Sequence, residues 1–451
     1  MIRRWREIER WIESAAGESR ASGFPLLPLS EVLVPRQEPV RVNGVLGDWQ
    51  AITIKFSGEV LPRERAEAFK GAMFAAYPGD LAFSKIDARN GAVGLIPDSI
   101  PKAVVTSEYP VFTPKVEKLR AKYLNYLLRA DHFKADLQRK ASGTSGRKRV
   151  TPEGFLTLEV PVPTLDEQDA LVDAYTAALS RAVQLEQEAE VIERAGWNAF
   201  EAALGVAPPP PLPDRPIFVA RFKDVERWSH ESVLRSSVSG PVQQHSWPLA
   251  RLGDLVADLE NGWSPKCHDH PARENRWGVL KLGAVSFGTF NAAENKELPA
   301  SLKPRPQYEV EAGDVLISRA NVVRYVGACA YVDATPPQLL LCDKIFRVCF
   351  HSDSQLLPRF LAEVMKLHSV REHIEARLTG TSPTMKNISK PALLDIRFPL
   401  PDLDAQQRIV DDIGTSRINA AEKRAEAATL RQTAWTALEA ALFTAAEETT
   451  T

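Results

Sequence analysis

The sequence predicts an α+β protein: two mixed α/β globular regions joined by a long antiparallel two-helix coiled-coil spacer. Three observations lead there. The chain repeats itself at long range, each copy ends in a long helical segment seamed with small residues, and each copy begins with short strand-like runs broken by turn residues.

The duplication is plainest towards the end of each copy. Residues 143–168 read GTSGRKRVTPEGFLTLEVPVPTLDEQ and residues 380–406 read GTSPTMKNISKPALLDIRFPLPDLDAQ. Pro161-Val-Pro163 matches Pro399-Leu-Pro401 at an offset of 238, which also carries Gln168 to Gln406, Trp197 to Trp435 and Leu204 to Leu442. Upstream, Gly79-Asp80 and Ser84-Lys85 match Gly313-Asp314 and Ser318-Arg319, Tyr123-Leu124 matches Phe360-Leu361, and Pro25-Leu26 matches Pro248-Leu249. The offset drifts from 223 to 238, so insertions fall inside the globular parts, where loops carry function.

In the first helical segment, Leu171, Tyr175, Ala178, Ala182, Leu185, Ala189, Ile192, Gly196, Ala199 and Ala203 follow a 4,3 spacing. The second gives Ile409, Ile413, Ser416, Ala420, Lys423, Ala427, Leu430, Ala434, Ala437 and Ala441. This is a coiled-coil seam whose alanines allow close approach, with Lys423 placed to extend its stem out of it. Leu171, Tyr175, Leu185, Ile192, Trp197, Ile409, Ile413, Leu430 and Trp435 are the expected packing residues. Asp166 and Asp404 are the expected N-caps. About 40 residues at 1.5 Å each make a rod of roughly 60 Å.

Within the globular regions, Leu81–Ile86 and Val315–Ser318 read as strands after a Gly-Asp turn, and Leu156–Val160 and Leu394–Phe398 as further strands. Tyr123–Arg139 and Phe360–Leu378 read as amphipathic helices. The implied segments are an amino-terminal helix (1–20), a first globular domain (21–164), a first spacer helix (165–206), a Pro-rich linker (207–217), a second globular domain (218–402), a second spacer helix (403–446) and a tail (447–451).

At 451 residues, 44% hydrophobic and 25% charged, the chain reads as globular with several domains. It has no apolar run of about 18 residues to cross a membrane. The start, MIRRWREIERWIES, is amphipathic and lacks a signal peptide's apolar core. Four cysteines make no disulfide framework, so a cytoplasmic protein with reduced thiols is expected. The net charge of −2 is unevenly placed: residues 166–205 carry nine acidic and two basic side chains, and the globular regions are mildly basic. Such a local surplus suits site-reading better than coating of DNA.

Taken together, the chain resembles a specificity subunit of a Type I restriction-modification system. The resemblance rests on the doubled GTS-to-Pro-x-Pro-to-Gln passages, the Gly-Asp-x-x-x-Ser-[Lys/Arg] strand in each half, the paired long helices and the two-fold repeat across almost the whole chain. It implies that the globular regions are target recognition domains, each reading half of a bipartite, asymmetric DNA site, and that the helices fix the gap and dock two modification (methyltransferase) subunits. Restriction/translocase subunits would join where present. S-adenosylmethionine, ATP and Mg would then sit on partner subunits, with no cofactor in this chain.

Base edges are read by hydrogen-bonding side chains in the major groove, with Arg and Lys suited to guanine or phosphate and Asn to adenine. In the first half the candidates are Ser84, Lys85, Arg89 and Asn90, with Arg147, Lys148 and Arg149 as a phosphate-facing cluster. In the second they are Arg319, Asn321, Arg324, Thr384, Lys386 and Asn387, with Asn261, Trp263 and Lys266 in the NGWSPK loop.

Catalytic signals are missing. The doubled prolines, Thr335-Pro336-Pro337-Gln338 and residues 208–211, do not make an Asn/Asp-Pro-Pro-aromatic loop, and no Gly-rich nucleotide loop occurs. Cys267-His268-Asp269-His270 lacks a second ligand pair at a metal-site spacing. Cys329, Cys342 and Cys349 read as core. Alternatives left open are a non-DNA coiled-coil adaptor, a related phage-defence specificity factor, and an enzyme fusion with unseen motifs.

Overall fold

A computed structural model of the chain describes residues 22–41, 46–63, 72–141, 149–206, 246–382 and 385–443. The expected amino-terminal helix, Pro-rich linker and tail lie outside these residues. The chain divides into two compact units: Met1–Glu186 with Arg424–Thr451, and Gln187–Lys423.

In the first unit, a four-stranded antiparallel sheet holds β1 (Leu33–Arg36), β2 (Leu81–Phe83), β3 (Val93–Leu95) and β4 (Val111–Pro114) in the order β1-β4-β2-β3. Helices α1 (Ala121–Leu127) and α2 (Asp131–Lys140) follow, and the long helix α3 (Leu165–Ala203) starts here. In the second unit, β5 (Val256–Asn261), β6 (Val315–Ser318), β7 (Cys329–Tyr331) and β8 (Ile345–Phe350) stand in the equivalent order β5-β8-β6-β7. Helices α4 (Pro358–Val364) and α5 (His368–Ala376) precede the long helix α6 (Leu403–Leu442). Leu26–Pro28 pairs with Glu159–Pro161, as Leu249–Arg251 pairs with Arg397–Pro399. The sequence repeat is therefore a repeat of topology. What differs is inserted: a five-stranded sheet in the first unit, and small two- and three-stranded sheets in the second.

Both cores are built around buried aromatic rings, most of them at positions the two copies do not share. Phe83, Phe112 and Phe155 stack at centroid distances of 4.4–6.1 Å. Phe346, Phe360 and Phe398 are fully buried in the second unit. Each such ring contributes about 1.5–3 kcal/mol by burial.

Several sequence expectations change in detail. The single helices expected at Tyr123–Arg139 and Phe360–Leu378 are each two, broken at Leu128–Ala130 and Met365–Leu367. The bend keeps Leu128, Ala130, Met365 and Leu367 buried, which one straight helix could not do. Leu156 and Leu394 end short helices, and the strands begin later, at Glu159 and Arg397. The N-caps are Thr164 and Asp402 rather than Asp166 and Asp404. The Glu167 amide donates to Thr164 Oγ1 while the Thr164 amide donates to the Glu167 carboxylate, a reciprocal capping box. The Ala405 amide donates to Asp402 Oδ1. Asp166 and Asp404 lie in the first turn, where the helix dipole favours them.

The long helices pack antiparallel within each unit. In the first, Tyr175 meets Trp435 (5.7 Å), Ala182, Leu185, Ala427 and Leu430 form a cluster, and Arg431 pairs with Glu186. In the second, Lys423 reaches Glu188 (2.7 Å), and a Cβ on Gly196 would stand 2.6 Å from Ser416. Ala189 and Ala420 are fully buried, while Ile192 is half-buried. The 4,3 seam does not reach the helix ends. Ala199, Ala203 and Ala437 are exposed, and Phe200, Leu204, Leu438 and Leu442 are buried instead. A straight helix drifts about 20° per heptad against a 3.5 repeat, so the buried stripe moves by a residue.

One side chain joins head to helix in each copy. Gln168, fully buried, accepts from the Arg120 amide (2.9 Å) and donates to the carbonyls of Lys118 and Pro163 (2.8 Å each). Gln406, also fully buried, accepts from the Leu357 amide (2.9 Å) and donates to the carbonyls of Gln355 and Pro401 (2.8 Å each). Beside this joint the units diverge. The first sets Tyr126 edge-to-face against Tyr175 (4.8 Å); the second places Glu363 against Arg417 (2.6 Å to each carboxylate oxygen) and Lys366 (2.9 Å). Burial works against the Glu363 charge, but Arg417 and Lys366 outweigh it and hold the carboxyl below its usual range.

Gln406→Ala should lower stability by about 2–4 kcal/mol in chemical denaturation, because it strands buried backbone groups. Gln407→Ala, which loses only an exposed contact to Asp411, should stay within about 0.5 kcal/mol. Because the folded Glu363 pKa is depressed, its contribution is present above the unfolded carboxylate pKa and fades as pH falls through the folded one. The gap in stability between the wild type and Glu363→Gln should therefore narrow on acidification; a gap independent of pH would show that the ion cluster does not act this way.

Candidate nucleic-acid interface

The Gly-Asp turn positions the same corner in each unit. Gly79 and Gly313 sit at φ +84° and +101°, where a side chain would be strained. The next residue closes the turn: Asp80 accepts from the Tyr77 amide (2.9 Å) and Asp314 from the Glu311 amide (3.0 Å). The strand then runs through the core to a buried serine. The Ser84 hydroxyl, largely buried, accepts from the Asp87 amide (3.2 Å) and so closes the turn that follows the strand. The Ser318 hydroxyl is buried without a hydrogen-bond partner among the described residues.

The cation that follows is tethered identically in the two copies. The Lys85 amide donates to the Glu108 carbonyl (3.0 Å) and its carbonyl accepts from the Val150 amide (2.8 Å). The Arg319 amide donates to the Lys344 carbonyl (2.8 Å) and its carbonyl accepts from the Ile388 amide (3.0 Å). This brings the segment after each Gly-Thr-Ser beside the strand end.

In the first unit, half-buried Lys85 and Arg89 and exposed Asn90 lie together, with Arg89 and Asn90 on a 3-10 turn ended by Gly91 at φ +101°. Arg149 is exposed and pairs with Glu108 at 3.3 Å. Arg147 and Lys148 lie outside the described residues.

The second unit gathers three of the expected segments. Ala320–Asn321 pairs with Lys386–Asn387 as two short strands, and Asn387 exchanges backbone hydrogen bonds with Thr379. Arg319 donates to the Asp343 carbonyl (3.3 Å), and Asp343 in turn holds the NGWSPK loop through Ser264, which donates to its carboxylate (2.5 Å) and accepts from its amide (3.1 Å). Trp263 donates its amide to the Leu341 carbonyl (2.9 Å), and its half-buried ring carries the Arg305 guanidinium at 4.3 Å. Gly262 is required there, since a Cβ would fall 1.8 Å from the Leu341 carbonyl oxygen. Asn261 and Lys266 are exposed on this loop. Lys386 donates to the Gly380 carbonyl (2.6 Å), and the Asn321 side chain accepts from the Val322 amide (2.8 Å). Arg324 is exposed on a separate turn tied to α5 through Arg371, which donates to the carbonyls of Arg324 and Val326. Thr384 lies outside the described residues.

Ser264, Asp343, Lys344, Arg305 and Glu108 were not legible as members of these corners. Asp343 stays ionised: burial opposes its charge, but Lys344 and Ser264 prevail and lower its pKa. The surface offers guanidinium, ammonium and amide donors beside a carboxylate acceptor, a set suited to reading base edges. The Cys267–His270 run is not drawn into a site: the His268 and His270 rings stack at 5.3 Å and Asp269 pairs with Lys296. Among the described residues no three such donors converge. Cys329 and Cys342 are buried, and burial pushes the Cys342 thiol up to about 11.

The chain is similar to known proteins. The specificity subunit of the Type I restriction enzyme EcoEI of Escherichia coli is 26% identical over 69% of this chain and 62% of its own length. That of the enzyme MjaVIII of Methanocaldococcus jannaschii is 29% identical over 69% of this chain and 66% of its own length. The chain is a relative of the Type I restriction enzyme specificity subunits. It matches less than two thirds of the length of these relatives. A solved chain from a study of complex assembly and conformational transition of the type I R-M system shares the fold at TM-score 0.59 and 17% identity, covering 94% of this chain and 98% of that one. No family model matches. Among the described residues no helix is long and apolar enough to cross a membrane.

Gly262→Ala should destabilise the second unit by about 1–3 kcal/mol in thermal melts, because backbone must move to admit the methyl group. Gly414→Ala, in a long helix with no atom within 4 Å of the new Cβ, should stabilise by up to about 1 kcal/mol.

Proposed function

We propose that this protein is the DNA-reading subunit of a Type I restriction-modification complex. Each unit reads one half of a bipartite, asymmetric site through its Lys85 or Arg319 corner, and the two long helices set the gap and dock two modification subunits. The chain itself is not the catalyst. Methyl transfer from S-adenosylmethionine, and ATP- and Mg-dependent restriction where a restriction subunit is present, belong to its partners in the cytoplasm. The observation that carries this reading is the doubled corner: one scaffold, identically tethered twice, bearing different loops, in a relative of named specificity subunits.

The purified chain should transfer no labelled methyl groups to DNA, and adding its modification subunits should produce methylation at one two-part sequence. Lys85→Ala should relax recognition of one part and Arg319→Ala of the other, each by about 1–3 kcal/mol per lost base contact. Methylation by the isolated chain, or loss of both parts from either substitution, would refute the assignment.

A further inference from the structure

The most exposed aromatic side chain in the described structure belongs to none of the sequence motifs. Phe56, 62% exposed, stands at the tip of a hairpin between strands Gln50–Ile54 and Val60–Pro62, flanked by exposed Lys55 and Ser57. The tip is rigidly held. The Lys55 amide donates to the Glu59 carbonyl and the Gly58 amide to the Lys55 carbonyl, both at 2.9 Å. Gly58 takes φ +79°. A Cβ on Gly91 would fall 2.2 Å from the Phe56 carbonyl oxygen, and one on Gly94 2.2 Å from that of Gly58. These glycines let the hairpin lie backbone to backbone on the turn that carries Arg89 and Asn90. The ring is thereby presented beside the first unit's basic corner.

The second unit builds the same device from different residues. Phe287-Gly288 tips a hairpin between Val285–Ser286 and Thr289–Phe290, Gly288 takes φ +69°, and its amide donates to the Cys329 carbonyl. Lys366 stands against Gly288 as Arg129, its counterpart in the repeat, stands against Gly58. There the aromatic ring is covered, by the Arg371 guanidinium at 4.9 Å and the Tyr325 ring at 6.1 Å. Among the described residues no ring or cation covers Phe56 in this way.

Resting on the function proposed above, we propose that Phe56 is a nucleotide contact of the first half-site, its ring packing on a thymine methyl group or on the face of a base. A rigid apolar ring with Lys55 and the Arg89–Asn90 turn around it matches an apolar base face bordered by phosphates. The test uses the full chain with its modification subunits and a duplex bearing the site that the wild-type complex methylates. Phe56→Ala should weaken binding about 10- to 100-fold, Phe56→Trp should keep most of it, and both should assemble and melt as the wild type does. Val116→Ala, 75% exposed in the same unit, should bind normally. Binding by Phe56→Ala within twofold of wild type overturns the inference, as does a loss of subunit assembly, which would make the ring a protein contact. If the wild-type complex itself binds no bipartite duplex, the underlying function fails, a result distinct from a failure confined to Phe56.

Discussion

The architecture depends on a buried glutamine used twice. Gln168 and Gln406 each satisfy one amide and two carbonyls at the point where a head passes into a long helix. A buried amide with its hydrogen bonds made is stabilising, and with any one broken it is a liability of about 1–3 kcal/mol. Both the direction of the helix start and the position of the preceding loop are therefore fixed by a single residue. No apolar side chain could do this, because packing alone tolerates small rotations that three directional bonds do not.

On that fixed frame the two units vary in their inserted sheets and loops. The four-stranded sheets keep their order, and the Lys85 and Arg319 tethers keep their partners to the residue. The inserted sheets share little, and the lateral joint is aromatic in one unit and ionic in the other. Constant scaffold with changeable loops is what a pair of readers for two different half-sites requires. The ionic joint also gives the second unit an acid sensitivity for which the aromatic joint has no counterpart.

Much of the frame was legible in the sequence because it is carried by side chains with few substitutes. The Gly-Asp turn needs a residue free to adopt positive φ, the clamp needs a glutamine, and Pro161 and Pro399 mark the strand ends. The Ala seam was readable through the middle of the helices, and failed at their ends because a straight helix drifts out of a 3.5 repeat. The N-caps were missed by two residues because Thr164 and Asp402 lie inside proline-rich passages and Asp166 and Asp404 look like better starts. The corners themselves were half legible. Lys85, Arg89, Arg319 and Asn387 come from motifs, but Ser264, Asp343 and the Phe56 hairpin reach them through tertiary pairing. That pairing leaves no local signal, and the hairpins of the two units share only a phenylalanine and a glycine.

The central claim is that one polypeptide reads two separate stretches of duplex with two copies of one device. A hydroxyl-radical footprint of the chain assembled with its modification subunits tests it most directly. Two protected tracts of unlike sequence are expected, with a stretch of fixed length between them that tolerates any sequence. A single uninterrupted tract whose every base matters, or no protection in an assembled complex, would contradict it.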